Sequence, residues 1–194
     1  MPECPSPKRP FRGTAVVTPR WERRRLLGLD WTTFGDAAQD LAVQVKSSGF
    51  RPTVIMGIAR GGLPLATALG HLLSGRVGTT GVTRNASDGQ YAERDEAAIS
   101  WMVPDSLNGA RVLLVDDIAG DGGTLRVVRE RARRAGAAEV RAAVIVVNDG
   151  CQDRPEYSVF AADDWVVFPW ECPPGDHHGA VESLVLRTRS GTDD

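Results

Sequence analysis

Several things this chain has little of narrow what it can be. No apolar run approaches the length of a bilayer span, and the first residues lack the apolar core of a secretory signal. Cysteine is scarce: Cys4, Cys151 and Cys172 are odd in number, far apart and in no metal-ligand spacing. That usage points to a reduced, cytoplasmic setting. Neither sign of charge is in surplus, because 23 Lys and Arg against 25 Asp and Glu leave a net charge of −2. No global field therefore favours nucleic acid or an anionic membrane as a partner. Histidine is sparse too. His71 sits in a helical pattern and is expected to pack, whereas the adjacent His177 and His178, after Pro173 and Pro174, read as surface residues of a turn. What is present, 42% hydrophobic and 25% charged over 194 residues, suits one ordinary globular domain with a sizeable core.

The organisation along the chain is that of alternating strands and helices. Residues 1–25 are proline-bearing and basic and read as a mobile tail, with Trp21 to Leu29 docking on the domain. The domain itself is expected over residues 26–180, with a C-terminal tail at 181–194. Thr32 or Thr33 can cap a first helix whose stripe is Phe34, Ala37, Ala38, Leu41, Ala42 and Val45, closed by Gly49. Thr53–Ile58 reads as a buried strand and Leu63–Leu73 as a second helix ending near Gly75. Strands are expected at Arg76–Thr83, Ile99–Val103 and Glu139–Val147, and a helix at Leu125–Ala135 ending at Gly136. Such alternation predicts an α/β fold with a mostly parallel sheet covered by helices on both faces.

The most informative stretch is Arg111–Leu125, RVLLVDDIAGDGGTL. Val112 to Val115 read as a fully buried parallel strand. Asp116 and Asp117 stand where that strand should end, and a loop with Gly120, Gly122 and Gly123 leads through Thr124 into a helix. In open α/β sheets ligands bind beyond the carboxyl ends of strands. Backbone N–H groups at a helix N-terminus suit phosphate, while paired carboxylates suit sugar hydroxyls and a metal. A ligand with both a phosphate and a ribose satisfies both halves. A P-loop needs Gly-Lys-Ser/Thr, which is absent here, and a dinucleotide fingerprint needs glycines directly after the strand, where two acids intervene.

These residues resemble the 5-phosphoribosyl-pyrophosphate (PRPP) signature of the type I phosphoribosyltransferases, closest to xanthine–guanine phosphoribosyltransferase-like proteins. The resemblance implies the type I fold, a five-stranded, mostly parallel sheet with a small hood from the chain's two ends. It implies that Asp116 and Asp117 hold the ribose hydroxyls, directly or through Mg²⁺, and that Ala119, Gly120, Asp121, Gly122, Gly123 and Thr124 wrap the 5′-phosphate. Ala59, Arg60 and Gly61, within GIARGG after an earlier strand, then match the pyrophosphate loop. Asp164–Glu171, DWVVFPWE, resembles the family's acceptor segment. Trp165 would stack on the acceptor and Val166 would read its edge, while Trp170 is expected to pack. Asn148 is a further acceptor contact, and Asp117 and Glu171 are candidate metal contacts. Residues Arg84–Ala97 correspond to a lid that excludes water, with Arg84, Tyr91 and Arg94 as lid contacts. Implied with these are Mg²⁺ as cofactor, PRPP and a small-molecule acceptor as partners, and a homo-oligomer, dimer or tetramer.

Two departures fall inside the pattern. Where the family loop commonly has a threonine this chain has Asp121, a carboxylate facing a phosphate site. Of three outcomes, an outward turn, a protonated carboxyl or an unusual 5′ group on the ligand, the outward turn is expected, because the flanking glycines permit it. The 6-oxopurine enzymes also carry an acid before that threonine, here Gly120, and a lysine at the end of the following strand, which here reads Val146-Val147-Asn148-Asp149. The acceptor classes left open are therefore a 6-oxopurine, another heterocycle, and an amine or hydroxyl. The expected function is Mg²⁺-dependent transfer of phosphoribosyl from PRPP with release of pyrophosphate. The alternative is a non-catalytic PRPP-binding regulator on the same fold, and a hydrolase using water ranks third.

Overall fold

The computed structural model describes residues 26–83, 97–171 and 181–184. The chain runs β1 (Leu26–Gly28), α1 (Trp31–Ser47), β2 (Val54–Ala59), α2 (Gly62–Leu73), β3 (Arg76–Thr83) and β4 (Ala98–Val103). It continues with β5 (Arg111–Ala119), α3 (Gly123–Arg134), β6 (Glu139–Val147), β7 (Tyr157–Ala161), β8 (Trp165–Val167) and β9 (Val181–Ser183). The main sheet has the order β4-β3-β2-β5-β6-β7. Strands β3, β2, β5, β6 and β7 pair in parallel, and β4 adds an antiparallel edge. The expected five-stranded parallel core is therefore present, with one strand more.

Strict alternation along the central strands sends side chains to two separate cores. Leu113 and Val115 of β5 pack with Ile55, Leu41, Val45, Leu65 and Leu69 beneath α1 and α2. Val112 and Leu114 pack instead with Val54, Met56, Leu125, Val128 and Ala132 beneath α3. The α1 stripe read from the sequence is the buried face, residue for residue. Its cap differs: Asp30, not Thr32 or Thr33, accepts from the Thr33 N–H at 2.7 Å, so the helix starts at Trp31. A carboxylate three residues ahead of that N–H outcompetes a threonine already inside the first turn. His71 is exposed on α2 rather than packed. The second helix ends on Ser74, which takes the left-handed conformation (φ 55) ahead of Gly75.

Strand β7 and the short strands were not foreseen. A parallel three-stranded sheet, β8-β1-β9, gathers Leu26–Gly28 with two C-terminal segments. Leu26, Leu27 and Leu29 are buried, so this end of the predicted docking segment does dock. Val181–Ser183, read from sequence as tail, pairs with β1, and the small sheet thus reaches past the boundary placed at 180. The basic residues 1–25, the lid candidates Arg84, Tyr91 and Arg94, and Cys4, Cys172, His177 and His178 lie outside the described residues. Among the described residues no helix is long and apolar enough to cross a membrane.

Candidate active site

The site forms where neighbouring strands send their chains to opposite faces. Strand β2 leads into α2 on one face, and β5 leads into α3 on the other. The pairing of β2 with β5 stops at Gly57–Val115, while β5 goes on beside β6 to Ala119–Val147. Asp116 and Asp117 therefore lie within the strand, not beyond it as the sequence suggested, at the point where its β2 side falls open. This is the crevice at a topological switch point where open α/β sheets bind ligands.

Both acids are anchored by main chain. Asp116 Oδ1 accepts from the Asp117 N–H at 3.0 Å, and Asp117 Oδ1 from the Ile118 N–H at 2.7 Å. Burial pushes the Asp116 carboxyl well above the usual carboxylate range, and the neighbouring Asp117 charge pushes the same way. Asp117 is raised to about 6, first by desolvation and then by the charge of Glu171. Glu171, itself raised by desolvation, accepts from the Phe168 N–H at 3.2 Å and feels the opposing charge of Arg60. Three acids crowded in this way favour a ligand that brings hydroxyl donors or positive charge.

The loop Ala59-Arg60-Gly61 meets this cluster from the β2 side, and its Ala59–Arg60 peptide is cis. A Cβ on Gly61 would lie 1.8 Å from Asp117 Oδ2, and one on Gly62 would lie 2.2 Å from the Val115 carbonyl oxygen. The two loops read from separate parts of the sequence thus touch, backbone against carboxylate. A cavity of ≈ 300 Å³ opens beside them. Its wall includes Asp116, Asp117, Ala119, Gly120, Asp121, Gly122 and Thr124 of the predicted loop, and Asn148, Trp165, Val166 and Glu171. Ala59, Arg60, Gly61 and Gly123 are not part of that wall.

Asp121 does not turn outward. Its Oδ1 accepts from the Gly123 N–H at 2.8 Å, an inward turn onto the loop's own backbone. Gly122, with φ 85, makes the bend, and its missing Cβ leaves room for the Asp153 backbone. A carboxylate thus occupies a donor at the start of α3, where the sequence reading had placed a phosphate. The Asp-x-Gly spacing of an Asx turn was the available signal. Arg129 went unread as well. Buried on α3, it binds Glu156 at 2.8 Å and the Val140 carbonyl at 3.1 Å, which ties the helix to β6 and the loop beyond it.

The aromatic residues divide as expected in position. Trp170 stacks on Phe168 at 5.2 Å and meets Phe34 edge-on at 5.6 Å, so it packs, while Trp165 faces the cavity. Asp164 also lines the cavity; no role was assigned to it from sequence, although it begins the acceptor motif. Cys151 is buried, its thiol against the Asp153 carbonyl oxygen.

Among the described residues no group of three or more candidate ligands gathers to hold a metal ion. Two neighbouring carboxylates, Asp117 and Glu171, fit an ion such as Mg²⁺ that keeps waters and arrives largely on phosphate oxygens.

Comparison with known proteins shows the family. A family model described as "Phosphoribosyl transferase domain" matches residues 29–177. A xanthine-guanine phosphoribosyltransferase of Idiomarina loihiensis is 27% identical over 155 residues, covering 78% of this chain and 90% of its own. One from Chromohalobacter salexigens is 31% identical over 140 residues, covering 70% and 76%. Among solved structures, a purine phosphoribosyltransferase from Pyrococcus horikoshii superposes with a TM-score of 0.67 at 32% identity, covering 77% of this chain and 95% of its own.

Proposed function

Because the chain belongs to the type I phosphoribosyltransferase family, we propose that it moves the 5-phosphoribosyl group of PRPP to a nucleobase-like or other nucleophilic acceptor. The nucleophile, a ring nitrogen in the base case, attacks the anomeric carbon. The bond from that carbon to the pyrophosphate oxygen breaks, its electron pair leaves with pyrophosphate, and the acceptor's proton passes to water. The observation that carries this reading is the contact between the Gly61 backbone and the Asp117 carboxylate. It sets a loop suited to pyrophosphate against the acids suited to the sugar, which are the two sides of the bond that breaks.

In this reading Asp116 and Asp117 accept from the ribose 2′- and 3′-hydroxyls and place negative charge under the cationic sugar centre as it develops. The loop from Ala119 to Thr124 holds the 5′-phosphate, and Arg60 faces the leaving pyrophosphate. Asp117 and Glu171 would hold Mg²⁺, which supplies charge neutralisation on the phosphates. Trp165 and Val166 seat the acceptor, so that binding itself supplies the alignment. A cytoplasmic setting and a homo-oligomer belong to the same proposal. The test is pyrophosphate release from Mg–PRPP across a panel of bases and amines. Release with at least one acceptor supports transfer; tight PRPP binding with no release for any acceptor leaves the regulator instead. The inward Asp121 carboxylate is the feature that favours this second reading.

Two predictions arise here. The sugar contacts need ionised carboxylate, and Asp117 titrates near 6 in the free protein. The kcat/KM for PRPP should therefore rise about tenfold per pH unit up to roughly pH 6 and go on rising above it as the more strongly raised Asp116 ionises, reporting the pair rather than one acid. A pH profile checks this, and no change between pH 5 and 7 opposes it. Replacing Asp121 by Thr removes a like charge beside the phosphate and restores a donor. PRPP affinity should rise roughly tenfold to a hundredfold, from about 1.5–3 kcal/mol for a hydrogen bond to a charged group. Titration calorimetry reads it, and weaker binding in the variant contradicts the loop assignment.

A further inference from the structure

Resting on the transferase reading, we infer that Arg129 is a positioning residue for the 5′-phosphate loop, acting through the segment that follows β6. Arg129 lies on α3, the helix that starts at that loop, and is only 8% exposed. It is not part of the cavity wall, so it acts at a distance from the ligand. Its Nη1 donates to Glu156 Oε1 at 2.8 Å and to the Val140 carbonyl at 3.1 Å. Its Nη2 donates to Glu156 Oε2 at 3.3 Å and stands 3.7 Å from Asp153 Oδ1. Glu156 Oε2 also accepts from the Ala142 N–H at 2.6 Å, which fastens the pair to β6. One planar fork thus fixes Asp153 and Glu156 against both α3 and β6, which a single ammonium could not do.

The segment held in this way lies on the phosphate loop, backbone against backbone. The Asn148 N–H donates to the Ala119 carbonyl at 2.9 Å, and the Gln152 N–H donates to the Asp121 carbonyl at 3.1 Å. The Asp153 main chain fills the space of a Gly122 side chain: a Cβ there would lie 2.6 Å from its nitrogen. These contacts set direction. A trans peptide points its carbonyl and its N–H opposite ways, and the peptides after Ala119 and Asp121 are both trans. Turning those carbonyls onto Asn148 and Gln152 therefore aims the Gly120 and Gly122 N–H groups away from that segment. Gly120 and Gly122 line the cavity. With the Gly123 N–H taken by Asp121, these two donors carry more of the hold on a phosphate. Asn148 is fixed by the sheet and Cys151 by burial, whereas Asp153 is fixed by Arg129.

The test separates an effect on the phosphate loop from a general loss of structure. Ribose 5-phosphate and Mg²⁺-pyrophosphate are titrated calorimetrically into full chains of wild type, Arg129→Met and Asp153→Ala, with circular dichroism melts beside them. Arg129→Met keeps the length of the side chain and loses the fork. Asp153→Ala removes only the reach towards the loop, from a side chain that is already partly exposed. Ribose 5-phosphate affinity should fall about tenfold in Arg129→Met, the scale of one lost hydrogen bond to a charged group. In Asp153→Ala it should fall about fivefold, the upper scale of a partly exposed ion pair. Pyrophosphate affinity should stay within about twofold in both. In turnover the KM for PRPP should rise by the same factors with kcat within about twofold, the mark of lost uniform binding. A folded Arg129→Met chain that binds ribose 5-phosphate like wild type overturns the inference, as does one that loses both ligands alike. Should Arg129→Met fail to fold, Asp153→Ala decides by the same two readings. No ribose 5-phosphate binding by wild type overturns the inference too. Selective weakening in the variants, with no pyrophosphate release from PRPP for any acceptor, would overturn the transferase reading alone. Release by wild type with ribose 5-phosphate affinity unchanged in the variants would overturn this inference alone.

Discussion

The variant carrying both Asp116→Asn and Asp117→Asn should lose roughly 10² to 10⁴-fold in pyrophosphate release from PRPP, yet unfold at a higher temperature than wild type above about pH 6. The loss of turnover follows from two charged acceptors, each worth about 1.5–3 kcal/mol to a hydroxyl donor, at the place where cationic character develops on the sugar. The gain in stability follows from burial. Asparagine retains the oxygen that accepts from the Asp117 and Ile118 N–H groups, so both anchors survive while the buried charge disappears. Both folded-state pKa values are raised. A carboxyl of that kind weakens the folded state progressively as pH rises from its unfolded value of 3.8 through its folded value. The difference in Tm between variant and wild type should accordingly vanish below pH 3.8, open as pH rises above it, and be widest above about pH 6. Thermal unfolding at several pH values, beside the activity assay, checks both halves. A double variant that is inactive because it is unfolded contradicts the explanation, as does one that keeps full activity.

Adjacent glycines should behave differently from one another. In Gly61→Ala the new Cβ collides with Asp117 Oδ2, the end of a side chain. Gly61 has φ −60 and ψ −36, ordinary for alanine. The carboxylate can turn away, so the chain should fold with Tm changed by about 2 °C or less and with turnover down roughly a hundredfold, the scale of a catalytic group misplaced by about 1 Å. In Gly62→Ala the Cβ meets the Val115 carbonyl oxygen and, at 2.9 Å, the Asp116 Cα. Neither can move without parting β5 from α2. Overpacking of that kind costs about 1–3 kcal/mol, or roughly 3–10 °C in Tm for a chain of this size. Circular dichroism melts and initial rates on the two variants separate the cases. An active Gly61→Ala enzyme would detach the GIARGG loop from the acid pair.

Much of this site was legible because its parts follow local rules. An apolar strand, two acids and a glycine loop announce a βα junction in four or five kinds of residue, and the α1 stripe repeats with helical period. The parallel core followed from alternation alone. What escaped depended on contacts between distant segments. Strand β7 is five residues long and half exposed, with no pattern of its own until β6 pairs with it. Strands β1, β8 and β9 are three residues each and exist only as one another's partners. The extension of β5 through both acids depends on β6 continuing to Val147 after β2 has ended, and no property of Asp116 or Asp117 records that. Asp121 was singled out correctly as anomalous, but its direction was misjudged, because glycines that permit an outward turn permit the inward one equally. The helix-end donor it reaches decided the matter. Asn148 stood in the sequence as a plain hydrogen-bonding residue. Only the structure shows that it is buried and that its Oδ1 has no hydrogen-bond partner among the described residues.

One titration bears most directly on whether this crevice grips an activated pentose. PRPP is titrated into the full chain with Mg²⁺ present, at pH 7.5 or above, where Asp117 is ionised. Saturable one-to-one binding is expected, weakened at least about tenfold in the chain carrying Asp116→Asn and Asp117→Asn, the scale of one lost charged contact. No detectable binding, or equal affinity in both chains, would contradict the assignment of the acid pair to the sugar.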